Sequence, residues 1–328
     1  MDNHMTSFIN FLRSWTLPVA IATGAVGYAL FHLVPALHGI GDWYIPRNNL
    51  FLSILNFLVL YFTFCKIDFR SMRPVRWHVH ILLAQTLLGL GVLVGALFLT
   101  GHPQWLILGQ AILMCILAPG ASAAAVVTGK LGGQLEQMIM FTLLGNVLSA
   151  LLIPTMLPHV AAAGTEISAV ALGLKMLWKV VVVLLVPMLV AWATRHVAPK
   201  VHKKIVETRN LSFYMWALCL MIVSGTAVKG VVDLWDETPL WILLAVAFGS
   251  SLVCIVQFFI GKSLGSLTNH RIEAGQGLGQ KNTTFAIWIA ASFLHPLACL
   301  GPGCYILWQN LFNSWQIQRY EKKISSAK

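Results

Sequence analysis

Residues 104–130 of this 328-residue chain read QWLILGQAILMCILAPGASAAAVVTGK, and this stretch decides the fold class. It contains no charged side chain before Lys130, and as a helix it is long enough to cross the ~30 Å hydrocarbon layer of a bilayer. Pro119 and Gly120 interrupt it, and a proline inside a helix removes a backbone donor and breaks or kinks the helix. The stretch therefore predicts a membrane-spanning helix with a break within the membrane.

The composition of the whole chain agrees with this interpretation. Hydrophobic residues make up 58% of the chain and charged residues 10%, with a mean hydropathy of +0.77, whereas soluble domains are about one quarter charged. The six cysteines are scattered singly, without the spacing of a metal site or a redox pair. We expect a polytopic α-helical membrane protein without a cofactor, which excludes a soluble protein or a soluble enzyme.

Ten apolar stretches qualify as membrane-spanning segments. They are 15–37, 49–66, 79–100, 104–130, 134–158, 173–194, 211–229, 238–262, 272–293 and 296–317. The ninth is interrupted by Gly275, Gly277 and Gly279, as the fourth is by Pro119 and Gly120. The first span is expected to be retained, because no cleavage site follows it.

Two breaks at matching positions predict two repeats, residues 1–160 and 161–328, with five helices each. Five is an odd number, so the second repeat must be inverted relative to the first, as in many secondary transporters. An unwound backbone inside a membrane is tolerated only where protein or a water-filled cavity satisfies its polar groups. The region between Pro119-Gly120 and 275–282, at the membrane midplane, is therefore the predicted binding site; the alternative is two ordinary kinks.

The basic residues predict the orientation. With the N-terminus inside, 17 of the 22 Lys and Arg residues lie on the cytoplasmic side. The other five are Arg47, Lys175, Lys179, Lys229 and Lys281. The positive-inside rule then places both termini in the cytoplasm, with the protein in the plasma membrane, or in the inner membrane of a bacterium. The net charge of +11 is explained by anionic lipid facing the basic loops, and nucleic-acid binding is not predicted.

Three motifs resemble those of the bile acid:sodium symporter family. The fourth span reads APGASAAAVVT at 118–128, the ninth reads GQKNTTFA at 279–286, and in the tenth WQN at 308–310 follows Pro302. These are similar to the family's PGGTASNVMT, GxQNSGLA and proline followed by WHN. The resemblance covers about 45–318. It implies a panel domain of helices 1, 2, 6 and 7, a core domain of helices 3–5 and 8–10, and a crossing of the discontinuous helices 4 and 9.

The sodium ligands that the resemblance implies are largely missing from this chain. The family's Ser-Asn pair corresponds to Ala124 and Ala125, its helix 5 hydroxyls to Met138 and Thr142, its carboxylate to Gly277, its helix 9 Gln to Lys281 and its helix 3 Gln to Gln85. Only Gln85 and Thr142 retain a suitable oxygen. A hard cation needs a shell of oxygen ligands, so the sodium site is predicted to be lost. An alternative register aligns Glu273 with the missing carboxylate.

Lys281 is the one Lys or Arg that lies near the middle of a predicted span. An ionisable side chain there is a functional hypothesis by default. We expect its ammonium to replace the cation by donating to carbonyls at the helix break and to Gln85; the alternative is a lysine that snorkels to the interface. The predicted binding residues are Lys281, Gln85, Gln280, Asn282, Thr283, Ser122, Thr128 and Thr142, with helix breaks at Pro119, Gly120, Gly277 and Gly279.

Together these observations predict a secondary transporter of a small organic anion, bile acid-like or smaller, that works by alternating access. Two alternatives stay open: a cation/proton antiporter of related architecture, and a conventional sodium-coupled symporter that uses Glu273. An intramembrane enzyme would need a nucleophile and base or a set of metal ligands, and neither is evident in the sequence.

Overall fold

The computed structural model describes residues 16–44, 47–66, 72–121, 123–161, 185–208, 210–233 and 239–326, with isolated positions between 170 and 182. Every regular element in these ranges is helical. The α-helices are α1 Thr16–Leu33, α2 His38–Tyr44, α3 Asn48–Phe64, α4 Arg76–Phe98, α5 Pro103–Leu117, α6 Ala123–Lys130, α7 Leu135–Met156, α8 Val186–Val197, α9 Pro199–Glu207, α10 Leu211–Asp233, α11 Leu240–Ser266, α12 Arg271–Gly279, α13 Thr283–Phe293 and α14 Leu300–Ser326. Short 3-10 helices cover Pro35–Leu37, Leu157–His159 and Pro296–Cys299.

Several of these helices are suited to a membrane. Among the described residues, three are long and apolar enough to cross a bilayer: Arg76–Phe98, Leu135–His159 and Leu240–Ser266. Pro18–Leu33 together with Pro35–Trp43 forms a fourth candidate, bent by 103°. Leu50–Phe64, Pro103–Leu117 and Leu211–Thr226 are shorter apolar helices. The chain is therefore an α-helical protein with the features of a multi-pass membrane protein.

Most of the helices coincide with the predicted spans to within a few residues where both are described, but α14 continues to Ser326, well past the predicted end of the tenth span at 317. The fourth predicted span contains α5 and α6, and the ninth contains α12 and α13. The sixth predicted span, 173–194, is described continuously only from residue 185, and Lys175 and Lys179 lie outside the described residues.

Helices α1 and α10 pack against each other at two glycines. A β-carbon at Gly24 would collide with the carbonyl group of Met221, and one at Gly225 would lie 2.9 Å from the Gly24 carbonyl oxygen. Small residues allow membrane helices to approach this closely, so their backbones gain dispersion contacts. Helix α10 also packs on α3, and α3 packs on α8.

The remaining long helices pack around the two broken ones. Helix α11 contacts α5, α12 and α14, while α4 contacts α5. Leu113, Met114, Ile153 and Ile289 are fully buried in one hydrophobic cluster that joins α5, α7 and α13. These contacts hold the ends of the broken helices in place.

Candidate functional site

The two helix breaks lie beside each other and pair through their backbones. Helix α5 ends at Leu117, and Ala118 is extended (φ −50°, ψ 137°), because the residue before a proline is disfavoured in the helical region. The Asn282 N–H donates to the Pro119 carbonyl at 2.8 Å, and the Ala121 N–H donates to the Gln280 carbonyl at 3.1 Å. Gly120 and Lys281 thereby form an isolated antiparallel bridge. Polar backbone groups that the breaks release are thus partly satisfied within the protein.

The second break falls later than the glycines predict. Gly277 and Gly279 lie inside α12, and the backbone leaves the helix at Gln280 (φ −101°, ψ 108°). A β-carbon at Gly277 would lie 2.8 Å from the Phe141 ring, and one at Gly279 would collide with the Phe258 ring. The predicted unwinding near Gly277 and Gly279 is thus one residue early, because α12 ends at Gly279, and the lack of a side chain at both glycines lets aromatic rings pack against the helix.

Lys281 lies in the second break and is 1% exposed. Its peptide groups are bracketed by one side chain: the Lys281 N–H donates to Gln309 Oε1 at 2.8 Å, and Gln309 Nε2 donates to the Lys281 carbonyl at 3.2 Å. Among the described residues, its Nζ has no hydrogen-bond partner, and Cys115 is an electrostatic neighbour. The backbone of Lys281 is fixed while its amine is uncommitted.

The contacts predicted for Lys281 are not formed in this conformation. Gln85 Nε2 instead makes two long hydrogen bonds, to the Ala118 carbonyl at 3.5 Å and to Ser149 Oγ at 3.4 Å. The prediction that the Lys281 ammonium donates to the break carbonyls and to Gln85 is therefore wrong for this state. Gln85 does reach the first break, because Ala118 immediately precedes Pro119.

The positions of the expected sodium ligands are occupied by an apolar cluster. Ala124, Ala125 and Met138 are buried and belong to one hydrophobic core with Phe141. The Thr142 hydroxyl donates to the carbonyl of Met138 at 2.9 Å, within its own helix. These residues do not fit a hard cation, which needs several converging oxygen ligands.

The other predicted residues divide between structural and uncommitted roles. Asn282 Oδ1 accepts the Phe285 N–H at 3.2 Å and so caps α13. Thr128, Gln280 and Thr283 are buried, and the Thr128 hydroxyl and Gln280 Oε1 have no hydrogen-bond partner in the described part of the chain. Ser122 lies outside the described residues.

Glu273 is buried at the start of α12 but has a structural partner. Its Oε1 accepts the backbone N–H of Gln134 at 2.7 Å, immediately before α7 begins. A carboxylate next to a helix N-terminus is stabilised by the free N–H groups there. The carboxylate thus ties the start of α12 to the start of α7.

A polar face of α14 was missed by sequence reasoning. Gln309, Asn310, Asn313 and Gln316 are all buried, and Asn313 Oδ1 accepts from Gln276 Nε2 at 3.0 Å. The signal was present in the sequence, because these amides recur at three- and four-residue intervals along an otherwise apolar span. Oxygens of Gln276, Gln280 and Asn310 are without partners among the described residues, so a polar strip leads from Lys281 along α12 and α14.

Comparison with known proteins identifies the family. The family model described as the sodium bile acid symporter family matches residues 53–234, more than half of the chain. The chain belongs to this family. No curated protein matches the sequence. As a member of the sodium bile acid symporter family, the chain is a membrane transport protein, and transport rather than catalysis is the activity of the family.

The match includes the first break but ends before the second. Residues 118–128 lie within the matched region, whereas the motifs at 279–286 and 308–310 lie beyond it. In this symporter family member, the second break is therefore assigned to the candidate site because its backbone pairs with that of the first break.

Proposed function

We propose that the protein is a secondary transporter of a small organic anion that works by alternating access without bound sodium, with Lys281 as the cationic group of the site. The observation that carries this proposal is the buried, unpartnered Lys281 amine at the paired breaks. A buried ionisable group costs several kcal/mol unless a partner compensates it, so such a group is retained where it has a function.

The surroundings of Lys281 support an anionic substrate. An ammonium makes charge-assisted hydrogen bonds to a carboxylate, and unpartnered polar groups of the strip on α12 and α14 can bind other polar groups of a ligand. The N-terminus of α13 also lies beside the break, where the helix dipole favours negative charge.

The loss of sodium coupling is supported by the apolar cluster of Ala124, Ala125 and Met138. Lys281 then supplies a fixed positive charge where the family would bind an ion. The runner-up is a sodium-coupled symporter using Glu273, and the hydrogen bond from Gln134 to this carboxylate argues against it. A cation/proton antiporter would depend on the same carboxylate, because no other acidic residue is buried among the described residues.

The helix packing is compatible with a rocking mechanism. We propose two inverted repeats, residues 1–160 and 161–328, that fold into a panel of α1, α3, α8 and α10 and a core of the other long helices. The packing of α10 on α1 and α3, and of α11 on α5, α12 and α14, supports this division. Because Lys281 is 1% exposed, substrate access by this mechanism requires relative movement of the panel and the core.

The test is uptake into proteoliposomes of a panel of small carboxylates and steroid acids, with sodium and proton gradients imposed separately. We expect uptake in choline buffer at the same rate as in sodium buffer. Lys281→Gln should weaken substrate binding by ~1–3 kcal/mol, through loss of a charge-assisted contact. Lys229→Gln, a lysine change in α10, is the matched control and should bind substrate like the wild type.

Two results would contradict the proposal. A strict sodium requirement in the wild type would favour the sodium-coupled symporter instead, and Glu273 would be the first residue to test. Unchanged affinity in Lys281→Gln would make Lys281 a structural lysine only. Binding measured by calorimetry in sodium and in choline buffers separates these two results.

A further inference from the structure

Three basic side chains from three helices lie near one another at the C-terminal end of α11. Lys262 on α11 places its Nζ 5.0 Å from the centre of the Phe312 ring, and Arg319 on α14 places its guanidinium carbon 5.4 Å from the centre of the Trp315 ring. Arg271 begins α12, and Lys262 interacts electrostatically with both arginines. We call Lys262, Arg271 and Arg319 the basic cluster.

The basic cluster has no acidic partner in the part of the chain that the structure describes. The ion pair found there is between Lys203 and Glu207, on α9. Arg271 donates to the Ser266 hydroxyl at 3.1 Å, which leaves its charge uncompensated. The charges of both arginines repel the Lys262 ammonium, and the repulsion is stronger where water is partly excluded. An anion bound between them would relieve it.

The side chains around the basic cluster indicate where that anion comes from. Phe259 and Leu267, near the C-terminal end of α11, are 70% and 75% exposed, and Trp315 beneath Arg319 is 49% exposed. Large apolar side chains on the outside of a membrane protein face lipid, and tryptophans gather at the level of the headgroups. The cluster therefore lies at the lipid surface, away from the site at Lys281.

We propose that the basic cluster binds the phosphodiester headgroup of an anionic phospholipid, which joins α11, α12 and α14. Basic pockets between membrane helices on the cytoplasmic side are suited to such headgroups, and the arginine guanidinium groups can each make two parallel hydrogen bonds to phosphate oxygens. The Lys262 stem also packs on Gly275, where a β-carbon would lie 2.6 Å from its Cγ. A bound lipid would thus brace the half-helix that leads to Lys281.

The experiment measures lipid binding to the purified full-length protein, independently of transport. Dilauroyl phosphatidylglycerol, phosphatidylcholine and inorganic phosphate are each titrated in neutral detergent, with native mass spectrometry and thermal unfolding as readouts. We expect phosphatidylglycerol to bind and to raise Tm, and the other two to do neither. The variant Lys262→Gln/Arg271→Gln/Arg319→Gln should bind phosphatidylglycerol roughly 100-fold more weakly, at about fivefold per lost charge.

Two matched variants keep the test specific. The charge-preserving variant Lys262→Arg/Arg271→Lys/Arg319→Lys should bind phosphatidylglycerol more tightly than the triple Gln variant, because the net charge is unchanged, but less tightly than the wild type, because lysine cannot make two parallel hydrogen bonds to the phosphate. Lys200→Gln/Lys203→Gln/Lys204→Gln removes three charges from α9 and should also leave binding intact. If the triple Gln variant does not fold, the single variant Arg319→Gln should still show the fivefold loss.

Three results would overturn the proposal. The first is unchanged phosphatidylglycerol binding after the loss of the cluster charges. The second is an equal loss in the α9 variant, which would mean that the lipid senses only total charge. The third is a Tm shift produced equally by inorganic phosphate, which would make the cluster a site for a free anion.

Discussion

At the scale of single residues, Lys281 combines a fixed backbone with an uncommitted side chain. Gln309 hydrogen-bonds both peptide groups of Lys281, which does the work that helical neighbours do elsewhere. The Nζ atom has no hydrogen-bond partner in the described residues. A binding group is most effective when its backbone is held by a second layer of contacts and its functional atom is free for the ligand. This division of roles is what we expect of a substrate-binding lysine.

The first prediction concerns Gln309. Replacing Gln309 with leucine keeps a side chain of similar size but removes its amide, so the buried Lys281 N–H loses its partner, whereas the Lys281 carbonyl still accepts the Thr283 N–H at 3.0 Å. An unsatisfied buried group costs about 1–3 kcal/mol, so Gln309→Leu should lower the free energy of unfolding by that amount. Thermal unfolding of the purified protein measures the loss. Gln104→Leu, at an exposed position on α5, is the control and should leave Tm nearly unchanged; an equal Tm for the Gln309 variant would mean that the bracket contributes nothing.

At the scale of helices, the sequence predicted the first break more accurately than the second. Proline is decisive at 119, because it lacks an N–H and restrains Ala118 to an extended conformation. Glycine is ambiguous, because it is found both where helices break and where helices pack closely. The tertiary contacts of Gly277 and Gly279 with aromatic rings decide between the two roles, and these contacts are not visible in the local sequence.

The sequence predicted which residues lie at the site but not the contacts that their side chains make. The sequence indicated that Lys281 and Gln85 lie near the breaks, and they do. It could not indicate that Lys281 Nζ avoids Gln85, because the direction of a side chain depends on packing between distant helices. The partners of the two residues, Gln309 and Ser149, come from α14 and α7, which is why motif reasoning confined to the breaks missed them.

The second prediction tests whether Gly277 serves packing. Gly277→Ala would place a β-carbon 2.8 Å from the Phe141 ring, so the ring must move within a dense core. Such overpacking costs about 1–3 kcal/mol, and the loss should appear as a lower Tm. Gly91→Ala on α4 has open space and should be neutral or stabilising by up to about 1 kcal/mol through its helix propensity.

A double variant makes this prediction specific. Adding Phe141→Leu to Gly277→Ala should recover part of the lost stability, because a smaller side chain leaves room for the new methyl group. If Gly277→Ala were as stable as Gly91→Ala, the glycine would not be needed for packing, and a role in backbone flexibility would return.

At the scale of the whole molecule, the buried polar residues and the basic residues lie in different parts of the protein. The paired breaks and the polar strip are buried between helices, whereas most of the basic residues lie in loops and at helix ends. Helix α9 illustrates the second group: Lys200, Lys203 and Lys204 share one face, while Ile205 on the opposite face packs against the hydrophobic core. Such a helix is suited to lie in the plane of the interface.

The last prediction is the side of the membrane on which α9 lies. We expect a cysteine at position 203, where the lysine side chain is 79% exposed, to react with a membrane-impermeant maleimide only from the cytoplasm. The reason is that this orientation places 17 of 22 basic residues inside, and moving them to the other side would oppose the positive-inside rule. Thr100→Cys, exposed between α4 and α5, should react only from outside and serves as the control. Four native cysteines are buried and two, Cys299 and Cys304, are half-buried, so the wild-type protein is labelled in parallel to measure the background. Labelling of position 203 from outside alone would contradict the proposed orientation of the second repeat, and with it the proposal that the two repeats are inverted.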